Sequence, residues 1–438
     1  MEKLLDRAKE VLNNNFQQGG FTIPSKGLYP FQWKWDSGFI ALGFAHYDMP
    51  KAKTEIETIL DAQWDNGFIP HIVFHTESDS YFPGADFHQS HLHPKSSKRY
   101  RSTGMTQPPV FGFVLEKLYQ IAEDKEDILR FIKDQIDNVY DNHVYFYEHR
   151  DLHEDGLVYI YHNWESGTDN SPLWDDIWET MNPPEYHFER RDTTHVDPAQ
   201  RPSKREYDHY LYIIDIAKKH GYDDAMIAKH SPFLLIDPLF NTALSKSNES
   251  LIALYAILGG NDEKIAYLQE KNKKTLSGMN QKLFDDKLGV YLHYDLRNER
   301  KLPYICSSSF SPLFSAAPNE ERANKLVEVM IEKFGGDDKY LCASFDPTHE
   351  RFNPRKYWRG PVWINLNWML YYGLKRHGFE TIANRVKNDS LQLIEKNGFH
   401  EYFDCRIENP DSEKGGYGGD NFSWSAALLI DLLLNGEQ

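Results

Sequence analysis

Cysteine is scarce in this chain: three residues, at positions 306, 342 and 405 of 438. An odd, widely spaced set argues against a disulfide framework and a CxxC metal motif, and it predicts a reducing, cytoplasmic setting. Positive charge is also short. Lys+Arg number 49 against 66 Asp+Glu, a formal net charge of −17. That balance argues against nucleic acid and anionic membrane as partners, because both need basic patches. No apolar run approaches the roughly 18 residues of a membrane-spanning helix. The first residues, MEKLLDRAKEVLNNNF, read as a charged amphipathic segment, not as a secretory leader. No GxGxxG or GxxxxGK[ST] loop cradles a phosphate, and no strand-turn-helix nucleophile elbow is present. What is abundant is aromatic: 10 Trp, 26 Tyr and 26 Phe, 14% of the chain.

Apolar residues at i, i+3, i+4 and i+7 recur and predict a mostly helical chain. The candidates are 2–16, 36–48, 50–63, 109–122, 125–140, 205–220, 238–257, 261–283, 319–333, 361–375, 378–396 and 422–434. Asp237-Pro238 reads as an N-cap followed by proline at the first helical position. Short connections within pairs alternate with long ones at 17–35, 64–108, 141–204, 334–360 and 397–421. Long loops in a compact fold are usually functional. The alternation predicts helical hairpins with their long loops at one end, in one domain spanning 1–438. The stretch 205–318 breaks the alternation, and 288–304 reads as a short β-hairpin.

Tryptophans fall at 33, 35, 64, 164, 174, 178, 358, 363, 368 and 424, mostly in or beside the long loops. That predicts an aromatic cleft suited to the C–H faces and hydroxyl edges of a sugar. Each loop carries polar candidates. Asp36, in Trp33-Lys34-Trp35-Asp36, caps the next helix or faces the cleft. Gln107 in GMTQPP is a helix-entry residue or a ligand contact held by two prolines. His88, His91 and His93 read as a solvated loop or, less simply, a metal cluster. Glu165, Asp169, Asp175 and Asp176 crowd one aromatic stretch. Burial and like charge both raise a carboxyl pKa, as a proton donor near neutral pH requires. Asp169 either serves that role or caps its Gly-Thr-Asp-Asn-Ser-Pro turn through Ser171. Arg359 stacks or binds between two aromatics, or is a surface residue. Glu401 and Asp404 supply the second carboxylate, or belong to a solvated loop. Two carboxylates on loops at one end of a helical array fit glycoside hydrolysis.

The blocks Trp33–Asp36, GMTQPPV (104–110), WESGTDNSPLWDD (164–176), YWRGPVWINLNWML (357–370) and EYFD…FSWSAALLIDLL (401–404, 422–433) resemble glycoside hydrolase family 63. The likeness is to its short bacterial members of the mannosylglycerate hydrolase type. QWDNGFIPH (63–71) is similar to a signature of the related trehalases. The resemblance implies an all-α (α/α)6 barrel with loop insertions at about 64–108 and 141–204. It implies an inverting, exo-acting α-glycosidase with no metal and no cofactor. The implied substrate is an α-linked glucoside or mannoside of a small molecule or short oligosaccharide, such as mannosylglycerate or glucosylglycerate. It assigns the general acid to Asp169 and the general base to Glu401. It assigns sugar contacts to Tyr29, Trp33, Asp36, Gln107, Gly167, Tyr357 and Trp358, and a substrate-binding arginine to Arg201. The segment 405–420 is longer and more charged than the family's loop, which bears on the leaving-group side. The alternatives are a trehalase, another α-glucosidase, epimerase or lyase on the same barrel, or a non-catalytic sugar-binding module.

Overall fold

The computed structural model describes residues 2–194, 196–408 and 415–435. Its longer helices are α1 (Glu2–Asn15), α2 (Lys34–Ala45), α3 (Met49–Leu60), α4 (Phe111–Ile121), α5 (Lys125–His149), α6 (Lys204–Lys219), α7 (Asp224–His230), α8 (Pro238–Leu258), α9 (Asp262–Gly278), α10 (Glu320–Phe334), α11 (Ile364–Arg376), α12 (Glu380–Asn397) and α13 (Ser423–Leu434).

Burial sorts them into two rings. Every residue of α2 is buried, Lys34 and Asp36 of its first turn included, and past that turn the helix is apolar on all sides. The outer helices bury one stripe. In α10 that stripe is Ala323, Leu326, Val327, Met330 and Phe334, a helical spacing, with charges elsewhere. The inner ring runs α2, α4, α8, residues 307–314, α11 and α13, and α13 packs back on α2 to close it. Gly43 allows that closure: a Cβ there would lie 2.5 Å from the Cα of Ala427 on α13. Helices α3, α5, α9, α10, α12 and α1 form the outer ring. The result is an (α/α)6 barrel.

Three details differ from the sequence reading. The fourth inner position is not an α-helix but a pair of 3₁₀ turns, Ser307–Ser309 and Ser311–Phe314. Ser311 Oγ donates to the carbonyl of Ser308 at 2.7 Å, and Pro312 has no N–H to give. Such local bonds compete with the α ladder. The expected helix 205–220 exists as α6, yet it stands outside the rings and packs on the 159–178 loop, with Tyr210 against Trp164 at 5.6 Å. The long insertion expected from 141 starts later, because α5 continues to His149. Its buried face extends through Val139, His143 and Phe146, a helical spacing. The hairpin read at 288–304 is present, with Tyr294 paired to Lys301. The Asp237 cap also forms, accepting from the Phe240 N–H at 2.9 Å. Among the described residues, no helix is long and apolar enough to cross a membrane.

Candidate active site

All inner elements begin at the same end of the barrel, so the segments just before them meet there. They enclose a pocket. The ten residues to which the family resemblance assigned roles all line it: Tyr29, Trp33, Asp36, Gln107, Gly167, Asp169, Arg201, Tyr357, Trp358 and Glu401.

The strand Gln32–Trp33 pairs with Ile72–Phe74, and that with Arg101–Ser102. This small sheet holds the indole of Trp33 in the wall, edge-on to Tyr29 at 5.3 Å. Helix α2 starts one residue later, capped at Trp33 with no side-chain cap bond. Asp36 therefore sits inside the first turn and does not cap the helix. Its carboxylate lines the pocket, and burial, then nearby Glu401, pushes its pKa well up. Gln107 accepts the Trp35 N–H through its side chain at 3.1 Å. The Lys34 ammonium donates to its carbonyl at 3.0 Å and to Thr106 Oγ1 at 2.8 Å. The two prolines after Gln107 keep this corner stiff.

Four carboxylates crowd the third loop, and packing separates them. Glu165 is buried and takes the Arg150 guanidinium at 2.8 Å and the N–H groups of Thr106 and Tyr161. Asp175 takes both Nη atoms of Arg359, at 2.8 and 2.6 Å. Asp176 pairs with Arg351 at 2.8 Å. Of the four, only Asp169 opens on the pocket. Its turn is closed by backbone, Ser171 N–H to Thr168 carbonyl at 2.9 Å, so the carboxylate is not spent as a cap. It accepts the Tyr357 hydroxyl at 3.0 Å. Burial is the largest influence on it and pushes its pKa up to about 7, against the lowering effects of Tyr357 and Arg201.

Gly167 has a left-handed φ of 71°, and a Cβ there would lie 2.4 Å from the Trp35 ring. Trp35 is itself wedged against Phe39 and Trp424 and cannot retreat. Gly167→Ala is expected to cost about 1–3 kcal/mol of stability, as overpacking does. It should also displace Asp169, so kcat falls even where the variant is folded. Melting temperature and kcat measured together check this; an alanine variant with wild-type values of both refutes it.

Glu401 is buried and lines the same pocket. It accepts the Tyr29 hydroxyl at 2.7 Å and the Gly419 N–H at 3.0 Å. The Gly-rich run near the C-terminus explains itself here. Its strand Gly416–Tyr417 pairs with Tyr402–Phe403, and a Cβ on Gly418 (φ 72°) would lie 2.2 Å from Glu401 Oε2. Burial raises the Glu401 pKa above the usual carboxylate value, opposed by Arg201. Asp404, the other candidate, turns away and pairs with Arg406 at 2.9 Å. Residues 409–414 of the charged 405–420 segment lie outside the described residues.

Arg201 is an electrostatic neighbour of both Asp169 and Glu401. Its guanidinium covers the Tyr357 ring at 4.2 Å and the Tyr29 ring at 5.9 Å. Nε donates to Asp192 at 3.3 Å. Nη1 stands 3.6 Å from Glu401 Oε2, too far for a hydrogen bond, and is buried without a partner. Tyr357 holds its place against strain: its φ is 41°, unusual for a tyrosine. The Trp358 N–H bonds Asn170 Oδ1 at 2.9 Å, and Arg359 grips Asp175 on the same loop. Arg359 therefore docks one wall on another and does not itself line the pocket.

All ten tryptophans are buried. Six of them (33, 35, 164, 358, 363 and 424) nevertheless line the pocket. Core and cleft are not alternatives here, because the walls of a closed pocket are both. Trp358 and Trp363 stack at 3.6 Å and so form a rigid slab. The three histidines at 88, 91 and 93 do not converge. His88 is buried near Phe74, while His93 stacks on Trp64. His71, Tyr81, Asp192 and Tyr207 also line the pocket and were not singled out from the sequence. His71 ends the QWDNGFIPH block and Tyr207 lies in the expected helix 205–220; Tyr81 and Asp192 sit in loops without periodicity.

The comparisons agree with this architecture. The family model described as mannosylglycerate hydrolase MGH1-like glycoside hydrolase domain matches residues 29–425. The chain is 39% identical to mannosylglycerate hydrolase of Thermus thermophilus, over 97% of this chain and 99% of that protein. It is 32% identical to glucosylglycerate hydrolase of Mycolicibacterium hassiacum, over 98% of each. A crystal structure of the family 63 mannosylglycerate hydrolase from Thermus thermophilus, in complex with Tris and D-glycerate, superposes with a TM-score of 0.89. It shares 39% identity with this chain, over 98% of it and 99% of that one. The chain thus belongs to the mannosylglycerate hydrolase MGH1-like glycoside hydrolase family, and it is a glycoside hydrolase.

Proposed function

We propose that this enzyme hydrolyses the α-glycosidic bond of a small sugar–hydroxyacid, α-mannosylglycerate or α-glucosylglycerate, with inversion at the anomeric carbon. Asp169 protonates the leaving oxygen. Glu401 removes a proton from a water that attacks the opposite face of the ring. Trp33, Asp36, Gln107, Gly167 and Trp358 hold the sugar, Tyr29 and Tyr357 orient the two carboxylates, and Arg201 meets the acid group of the aglycone. The observation that carries the reading is Arg201: a buried guanidinium beside Glu401 with an N–H that no protein acceptor takes. A carboxylate on the aglycone would satisfy it. The names of the curated relatives point the same way.

Time-resolved proton NMR of the first-formed sugar tests the stereochemistry. Release of the β anomer from the α-glycoside is expected, and α as first product would overturn inversion. Turnover compared across mannosylglycerate, glucosylglycerate and trehalose tests the substrate class; a preference for trehalose would overturn the acidic aglycone.

The pH dependence follows from the two carboxyls. Asp169 acts protonated, so activity falls as pH rises through its pKa of about 7. Glu401 acts ionised, and its pKa is raised, so activity falls on the acid side above the ordinary carboxylate range. The Tyr357 hydroxyl lowers the Asp169 pKa, so Tyr357→Phe is expected to move the alkaline limb of kcat/KM to higher pH. An unchanged or lowered limb in that variant would count against Asp169 as the acid.

A further inference from the structure

Asp192 reaches the pocket from the long loop before α6 and stands among more cations than it can balance. Arg190 closes a fork on it, Nε to Oδ1 at 2.7 Å and Nη2 to Oδ2 at 2.6 Å. Arg201 Nε shares Oδ2 at 3.3 Å. Arg190 is anchored in turn, by the Pro202 carbonyl at 2.8 Å and the face of Tyr207 at 4.3 Å. The two guanidiniums outweigh burial and hold Asp192 ionised. The trio carries one net positive charge, and it sits next to Glu401.

A guanidinium has five N–H donors in a fixed plane. Fixing Nε fixes where the others point. With Nε on Asp192 and its face on Tyr357, the Arg201 plane is set, and Nη1 is held buried with no hydrogen-bond partner. Without Asp192, the strongest remaining attraction on Arg201 is Glu401, and the guanidinium would close that 3.6 Å gap. Nη1 would then be consumed by the candidate base.

We infer that Asp192, clamped by Arg190, is a positioning residue that sets substrate choice: it keeps Arg201 off Glu401 and aims it at the carboxylate of an acidic aglycone. This inference rests on the acidic-aglycone reading above. Its test compares α-glucosylglycerate with the matching glycerol glycoside, in which CH₂OH replaces the carboxylate. Wild type is expected to favour the acid through KM. Asp192→Asn should shrink that preference about tenfold, the scale of one charged hydrogen bond. Asp192→Glu should restore part of it. Arg190→Lys, which breaks the fork and leaves Asp192 in place, should produce a smaller shift in the same direction. Circular dichroism confirms that each variant is folded, and a ratio between two substrates cancels loss of active enzyme. If wild type prefers the acid and Asp192→Asn keeps that preference, the role of Asp192 is overturned and the substrate reading stands. If wild type shows no preference for the acid, both fall.

Discussion

Replacing Asp169 with asparagine is expected to lower kcat on an α-glycoside with an alkoxide leaving group by about 10²–10⁴-fold, the usual worth of a general acid. The substitution is nearly isosteric. Tyr357 can still donate to the amide oxygen across its 3.0 Å contact, so the turn should survive. What is lost is a proton that sits on a carboxyl with a pKa of about 7. The loss must therefore depend on the leaving group. A glycosyl fluoride leaves with little need of protonation, and its turnover should fall far less. Steady-state kinetics on both substrates decide the matter. Equal losses on the two would mean that Asp169 positions the substrate and does not protonate it.

Glu401→Gln should show the opposite pattern. A base is needed whatever leaves, so glycoside and fluoride should both lose about 10²–10⁴-fold. The pocket can accept the amide. With its oxygen on the Gly419 N–H, its NH₂ faces Tyr29, whose hydroxyl can rotate to accept. Azide needs no deprotonation, so adding it should restore turnover of the fluoride and leave a glycosyl azide, identifiable by mass. Wild-type turnover in this variant, or a loss confined to the glycoside, would remove Glu401 from the base role. Together the two variants separate acid from base by chemistry, independently of any fold effect.

The carboxylates show where reading the sequence stops. Glu165, Asp169, Asp175 and Asp176 are equally plausible as residues, because local composition is the same for all four. Their fates differ because Arg150, Arg359 and Arg351, from 15 to 184 positions away, pair with three of them. The same holds at the last loop. A strand of two residues, Tyr402–Phe403, lies between Glu401 and Asp404, and its pairing decides which carboxylate faces inward. Asp192 carried no signal at all; its meaning arises from two arginines meeting it, and one of those comes from nine positions on.

By itself, the sequence determined the helical class, the short and long connections, the aromatic character of the loops and, through five ordered blocks, the family. These depend on local periodicity and on residue types, which are written along the chain. The tertiary structure alone decided the 3₁₀ fourth stave, the place of α6 outside the rings, which acids face the pocket, and the unpartnered donor of Arg201. Those depend on which distant groups compete for each side chain. That competition is settled only when the barrel closes.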